Sequence, residues 1–215
     1  METLRVGLII PAYNEEGSIK RVVDGVLPYG QPIVIDDAST DGTGSIALKS
    51  GAIVVRNNIN LGYEGALESG FKVASDMGID IIITLDADGQ HNPKLVGRFI
   101  ESIRSGNDLV VGVRDKLPRI SEKIFALYSR HKFGIKDPLC GMKAYKTDLY
   151  QKIGYFDSHK LVGSELAFRS ILNGCKLGQV SFIVESRKGK SKYGGVLLAN
   201  VKILKAMFIT FITFI

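Results

Sequence analysis

The 215-residue chain has only two cysteines, Cys140 and Cys175, and no apolar run of the about 20 residues needed to cross a membrane. Two cysteines so spaced make neither a disulfide framework nor a metal-ligand set, so a reducing compartment is expected. The N-terminus runs almost directly into a strand, and no signal peptide is expected. No Gly-x-Gly-x-x-Gly turn follows the first strand, and no Walker A loop occurs. That removes the dinucleotide-binding and P-loop readings of an alternating α/β chain. The length allows one domain with a sizeable core, and the composition is that of an ordinary globular protein.

The net charge of +6 is unevenly spread. From Arg114 to Lys136, seven Lys/Arg face only Asp115 and Glu122. From Arg187 to Lys205 there are six Lys/Arg and no acid, which leaves the remainder acidic. Two basic stretches in the second half fit an anionic substrate or an anionic membrane surface. No nucleic-acid-binding motif accompanies them, so nucleic acid is not an expected partner.

The organising stretch is 81–93, IIITLDADGQHNP. A short apolar run ends in two carboxylates one residue apart, the pattern of a buried parallel strand leaving its sheet. Gly89 permits a sharp turn, and Asn92-Pro93 reads as a helix cap followed by a first-turn proline. Asp86 and Asp88 then sit at the carboxyl edge of the sheet, where open α/β folds bind ligands. Carboxylates this close repel unless a cation lies between them. A hard ion, Mg²⁺ or Mn²⁺, takes such oxygens together with substrate phosphates. Gln90 adds a carbonyl oxygen or holds a metal-bound water. A solvated acidic turn is the plain alternative for this pair alone.

The rest of the chain narrows that choice. Strands are expected at 4–10, 32–36, 52–56, 80–85 and 108–113. Helices are expected at 15–27, 63–77, 92–105 and 161–172. Strict alternation predicts a parallel, doubly wound sheet. Polar groups then recur at strand ends on one rim: Tyr13 to Glu16, Asp36-Asp37, Asp86-Asp88 and Arg114.

Four segments carry a resemblance. PAYNEE at 11–16, DDASTDGT at 36–43, NNINLG at 57–62 and DADGQHNP at 86–93 resemble the family 2 glycosyltransferases of GT-A fold. The subgroup they are most similar to transfers sugars to polyprenyl or dolichyl phosphate. DPLCGMKAY at 137–145 and RKGKSK at 187–192 resemble the same subgroup.

The resemblance implies roles. Pro11, Tyr13, Glu15, Asp36 and Asp37 would hold the donor nucleoside. Asp86 and Asp88 would bind the metal with Gln90, and Ala87 would line the donor between them. Arg114 would stack on the base or touch phosphate. Arg187, Lys190 and Lys192 would belong to a loop closing on the diphosphate. Asp88, Arg114, Arg187 and Lys190 are the expected catalytic set. The fold expectation is a mostly parallel GT-A sheet flanked by helices, with residues 1–195 catalytic and 196–215 an interfacial helix. The expected donor is a nucleotide diphosphate-sugar such as GDP-mannose or UDP-glucose, with Mn²⁺ or Mg²⁺ as cofactor.

The acceptor follows from charge. A hydroxyl acceptor needs a general base, whereas a phosphate is already an anion and needs positive charge to draw it in. Arg119, Lys123, Arg130 and Lys132 can supply it, or can form a solvated helix face. Glu165, near the position of a catalytic acid in hydroxyl-directed relatives, lacks the Glu-Asp pair of a committed base. His91 either touches substrate or caps the following helix. In 196–215, Lys202 and Lys205 share one helix face, and ten uncharged residues follow. This predicts a helix lying in the interface of a cytoplasmic membrane face, with the beginning of a membrane-crossing segment, a packed terminal helix or a contact between copies as alternatives. A polyprenyl phosphate acceptor is the expected partner. Hydroxyl acceptors and a non-catalytic sugar-nucleotide-binding subunit are the other readings.

Overall fold

The computed structural model describes residues 4–184 and 196–214. Seven strands form one sheet: β1 (Val6–Ala12), β2 (Gln31–Asp36), β3 (Ile53–Arg56), β4 (Ile81–Thr84), β5 (Leu109–Arg114), β6 (Lys143–Lys146) and β7 (Leu177–Phe182). Their order is β3-β2-β1-β4-β6-β5-β7, and only β6 runs antiparallel to its neighbours. The helices are α1 (Ile19–Val26), α2 (Thr43–Lys49), α3 (Gly62–Asp76), α4 (Leu95–Arg104), α5 (Ile120–Phe133), α6 (Thr147–Ile153), α7 (Glu165–Leu172) and α8 (Val196–Thr213).

Alternating strand residues point to opposite faces, and both faces are covered. Leu8, Ile10, Val34 and Ile83 pack with Val22 and Val26 of α1 and Phe99 of α4. Ile9, Ile33, Ile35 and Ile82 pack with Phe71 of α3, Phe125 of α5 and Phe168 of α7. Burial on both faces is why these strands read as unbroken apolar runs.

Local signals moved several boundaries. β1 continues through Pro11 to Ala12, pairing with Ile35 and Asp36 of β2. The expected helix at 15–27 starts at Ile19, because the Glu15 carbonyl first closes a turn by accepting the Ser18 and Ile19 N–H groups. Asn92 does not cap α4 directly. Its side chain accepts the Lys94 N–H at 3.0 Å in a turn ahead of the helix. The helix expected at 161–172 starts at Glu165, and residues 161–164 belong to the loop before it.

Strand β6 departs from the strict alternation. It enters between β4 and β5 with Lys143 opposite Thr84. Because β6 is antiparallel, its first residue lies at the carboxyl rim of the parallel strands. The 137–142 segment is thereby brought beside Asp86.

Helix α8 packs one face on the domain. Ile203, Ala206 and Phe214 join the core beside α5, and the Ser121 hydroxyl donates to Asn200 Oδ1. Its other face stays exposed and carries Val201, Leu204, Phe208, Phe211 and Ile212 beside Lys202 and Lys205. Among the described residues, no helix is long and apolar enough to cross a membrane.

Candidate active site

The rim at the carboxyl ends of β1, β2, β4 and β5 gathers the polar groups expected there. The loops after β1 and β2 are stitched together. Asn14 Oδ1 accepts the Thr40 N–H at 2.8 Å, Thr43 Oγ1 accepts the Glu15 N–H at 2.8 Å, and the Glu16 carboxylate accepts the Gly42 N–H at 3.0 Å. Asn14 and Ala38 are both held at positive φ, so these loops are set by each other more than by intrinsic preference. Tyr13 is exposed on this rim and Glu15 half-buried.

Asp36 and Asp37 lie on this rim at the end of β2, as expected. Both are buried. Asp36 is ion-paired with Arg56 at 2.6 Å and accepts the Ser39 N–H at 2.9 Å. Asp37 accepts from Asn57 Nδ2 at 2.8 Å, Leu61 N at 2.9 Å and Gly62 N at 2.8 Å. The pair shapes the rim, and Asp37 fixes the start of α3.

Asp86 follows β4 after Leu85, and its side chain is 35% exposed. Asp88 Oδ1 accepts the Gln90 N–H at 3.0 Å across the left-handed Gly89, whose carbonyl is held by Arg21 at 3.3 Å. The turn leaves Asp86, Asp88 and Gln90 all partly exposed, with Ala87 buried between the carboxylates. His91 is turned inward, edge-on to Phe182, with Nδ1 3.4 Å from the Asp86 N–H. Among the described residues, no three His, Cys, Asp or Glu side chains are grouped to hold a metal unaided. Two hard carboxylates and an amide oxygen fit Mg²⁺ or Mn²⁺, ions that complete their shells with water and substrate phosphate. They do not fit a closed zinc site.

Gly141 lies against Asp86. A Cβ there would stand 2.6 Å from Asp86 Oδ1 and 2.7 Å from Oδ2. Thr84 Oγ1 donates to the Gly141 carbonyl at 2.7 Å. Sequence spacing gave no hint of this contact, which joins residues 55 positions apart.

Arg114 ends β5, but its guanidinium is turned to the protein. It is bidentate on Asp137, with Nε–Oδ2 at 2.7 Å and Nη2–Oδ1 at 2.9 Å, and Nη2 also meets Glu122 at 3.1 Å. Burial opposes its charge, but the Asp137 bonds outweigh that and hold it charged well above the ordinary arginine range. Glu122 also binds Arg119 at 2.6 Å. Two of the expected phosphate contacts are therefore engaged in one ion-pair network. Lys123, Arg130 and Lys132 are exposed on α5. Arg187, Lys190 and Lys192 lie outside the described residues.

Glu165 is fully buried at the start of α7. It accepts from Ser158 N at 2.8 Å, His159 N at 2.9 Å and Arg169 Nε at 2.8 Å. Burial pushes its carboxyl up, but Arg169, His159 and Ser158 outweigh that and hold it down at about 2. So acidic a group is a poor general base near neutral pH. It anchors the loop before it.

The Glycosyl transferase family 2 profile matches residues 8–169. The chain belongs to glycosyl transferase family 2. This glycosyltransferase is 32% identical over 224 residues to the undecaprenyl-phosphate mannosyltransferase of Micrococcus luteus, covering 92% of the chain and 90% of that protein. It is 30% identical to the polyprenol monophosphomannose synthase of Mycolicibacterium smegmatis, covering 96% and 85% respectively. The structure of Mycobacterium tuberculosis glucosyl-3-phosphoglycerate synthase in complex with Mg²⁺ and UDP superposes with a TM-score of 0.76 at 22% identity. It covers 95% of this chain and 79% of that one, and the shared fold is GT-A.

Proposed function

We propose that this glycosyltransferase moves a hexose, mannose or glucose, from a nucleotide diphosphate-sugar to a polyprenyl phosphate at the cytoplasmic face of a membrane, with inversion and with Mg²⁺ or Mn²⁺. The observation that carries the reading is a half-exposed Asp86/Asp88/Gln90 turn in a domain that also bears a basic and apolar two-helix surface. The names of the Micrococcus and Mycolicibacterium relatives support the same acceptor class.

Tyr13, Glu15 and Pro11 would meet the nucleoside, with Asp36 and Asp37 fixing the loops that hold it. Asp86, Asp88 and Gln90 would hold the metal through their oxygens. When bound, the ion neutralises the departing nucleoside diphosphate. Arg187, Lys190 and Lys192 are proposed to add positive charge to that leaving group. Arg114 acts as a positioning residue, joining the end of β5 to the 137–142 segment. Lys123, Arg130 and Lys132, with Arg119 nearer the rim, would draw the acceptor phosphate in.

A phosphate acceptor needs no strong base. The low carboxyl range of Glu165 fits that requirement and weighs against hydroxyl transfer through Glu165. Helix α5 exposes Ile124 and Leu127, the latter 71% exposed, beside the exposed apolar face of α8. Together with Lys123, Lys202 and Lys205 they would rest on an anionic lipid surface, making the attachment peripheral.

The test is transfer of labelled mannose or glucose from GDP-mannose or UDP-glucose to polyprenyl phosphate, read as label extracted into organic solvent. Asp88→Asn should lose at least 100-fold in rate while keeping the wild-type circular dichroism spectrum. Full transfer by that variant would end the metal assignment.

A further inference from the structure

Lys143, the first residue of β6, is 4% exposed. Among the described residues it forms no ion pair; its ammonium donates to the Cys140 carbonyl at 2.7 Å and the Gly163 carbonyl at 3.2 Å. Burial lowers its pKa from the ordinary lysine range, outweighing the support of Asp137 and Asp86 through the interior. An interior ammonium without a direct carboxylate partner is costly, and the two carbonyls it holds are its compensation.

They belong to two different loops. Cys140 precedes Gly141, the residue pressed against the Asp86 carboxylate. Gly163 ends the 157–163 loop. That loop carries Lys160 at φ 56° and Val162 at φ 54°, left-handed positions that a β-branched valine strongly disfavours. Other bonds hold it there. The Asp157 carboxylate accepts the Leu161 and Gly163 N–H groups, both at 2.9 Å, and Ser164 Oγ donates to the Pro138 carbonyl at 2.8 Å. Gly163 also packs on the Tyr63 ring at the start of α3, so a Cβ there would come within 3.1 Å of it. The strained loop thus spans from the α3 end of the rim to the segment that backs Asp86.

We propose that Lys143 is a positioning residue for glycosyl transfer, clasping the strained 157–163 loop to the Gly141 segment so that the loop forms a fixed wall beside Asp86. The inference rests on Asp86 belonging to the transfer centre. Strain maintained by several independent bonds is the form that preorganisation takes at a reacting site. The loop would border the transferred sugar, and its fixed position would matter in the reaction more than in nucleotide binding.

Lys143→Met keeps the approximate length of the side chain and removes its charge and both bonds. In the purified full chain the expected kcat for transfer falls at least tenfold. Mn²⁺-dependent binding of UDP or GDP stays within threefold of wild type. Trypsin cleavage after the exposed Lys160 becomes at least tenfold faster. A kcat within twofold of wild type overturns the proposal. So does a fall in kcat matched by equal losses of nucleotide affinity and melting temperature, which marks a general structural role.

Val162→Gly tests the same loop without touching Lys143 and remains available if Lys143→Met does not fold. Release of the left-handed valine should lower kcat at least threefold with Mn²⁺-dependent nucleotide binding within threefold of wild type, the lost packing of Val162 on the core offsetting the relief of strain in the melting temperature, and an unchanged kcat overturns the proposal. Tryptic cleavage and nucleotide binding need no lipid acceptor, so failure here is distinguishable from failure of the polyprenyl phosphate reading.

Discussion

The Asp86 carboxylate lies against Gly141, so closely that a methyl group at Gly141 would stand 2.6 Å from Oδ1. A carboxylate at the mouth of the site is thus positioned by a residue on the far side of β5 in the sequence. Gly141→Ala should push Asp86 out of place. Metal-dependent nucleotide affinity should fall about tenfold or more, a loss of roughly 1.4 kcal/mol. Isothermal titration with UDP or GDP and Mn²⁺ measures this, and affinity equal to wild type would show that Asp86 tolerates displacement.

The Arg114–Asp137 pair makes a stability prediction. Among the described residues, Asp137→Asn leaves Arg114 with only Glu122 as a carboxylate partner in a buried setting. Stranding a buried charge completely costs about 3–5 kcal/mol, so with Glu122 still in place the loss is a fraction of that. Urea unfolding should show the midpoint falling without a change in slope. An unchanged midpoint would mean that Arg114 finds its compensation elsewhere.

Much of this architecture is legible in the sequence, for a definite reason. β1, β2 and β4 are covered on both faces, so VGLII, PIVID and III stand out as unbroken apolar runs, and the acids that end them mark the rim. β6 is not legible. Its four residues are KAYK, with a lysine at each end, and nothing in that pattern announces a strand, still less an antiparallel one. Asp36 and Asp37 were identifiable as a strand-end pair, but their burial depends on Arg56 and the 57–62 loop, which no spacing rule connects to them. Arg114 was identifiable as a cation after a strand, while its partner Asp137 sits 23 residues away on another segment. Charge type and strand end can be read locally; which charges neutralise each other cannot.

Acid titration should separate two carboxylates of the 157–165 region. Glu165 is held at about 2, below its ordinary 4.5, so the folded state binds fewer protons and the stability it contributes is present above pH 4.5 and lost as pH falls toward 2. Asp157 has the opposite sign. Burial raises it to about 6 from 3.8, so it costs stability above pH 6 and that cost is relieved on acidification toward 3.8. Melting temperatures of Glu165→Gln should therefore be less acid-sensitive than wild type between pH 4.5 and 2. Those of Asp157→Asn should lack the gain between pH 6 and 4. Parallel profiles for wild type and both variants would contradict these assignments.

The exposed face of α8 should govern membrane attachment. Removing the helix whole would also strip Ile203 and Phe214 from the core, so point changes on its outer face are the cleaner probe. Phe208, 62% exposed, and Ile212, 56% exposed, lie on that face, whereas Phe211 also meets the Tyr128 ring of α5. The double substitution Phe208→Ser/Ile212→Ser should reduce cosedimentation with anionic phospholipid vesicles by about tenfold or more, since burying one such side chain contributes about 1.5–3 kcal/mol. The melting temperature should not fall. Unaltered vesicle binding, or a change in oligomeric state instead, would assign this face to another contact.

The most direct measurement is acceptor discrimination by the purified chain. Given Mn²⁺ and labelled GDP-mannose or UDP-glucose, it should transfer label to polyprenyl phosphate and leave the matching polyprenol alcohol unlabelled. Label on the alcohol or on a water-soluble saccharide, with none on the lipid phosphate, would contradict the account and point to a hydroxyl-directed glycosyltransferase.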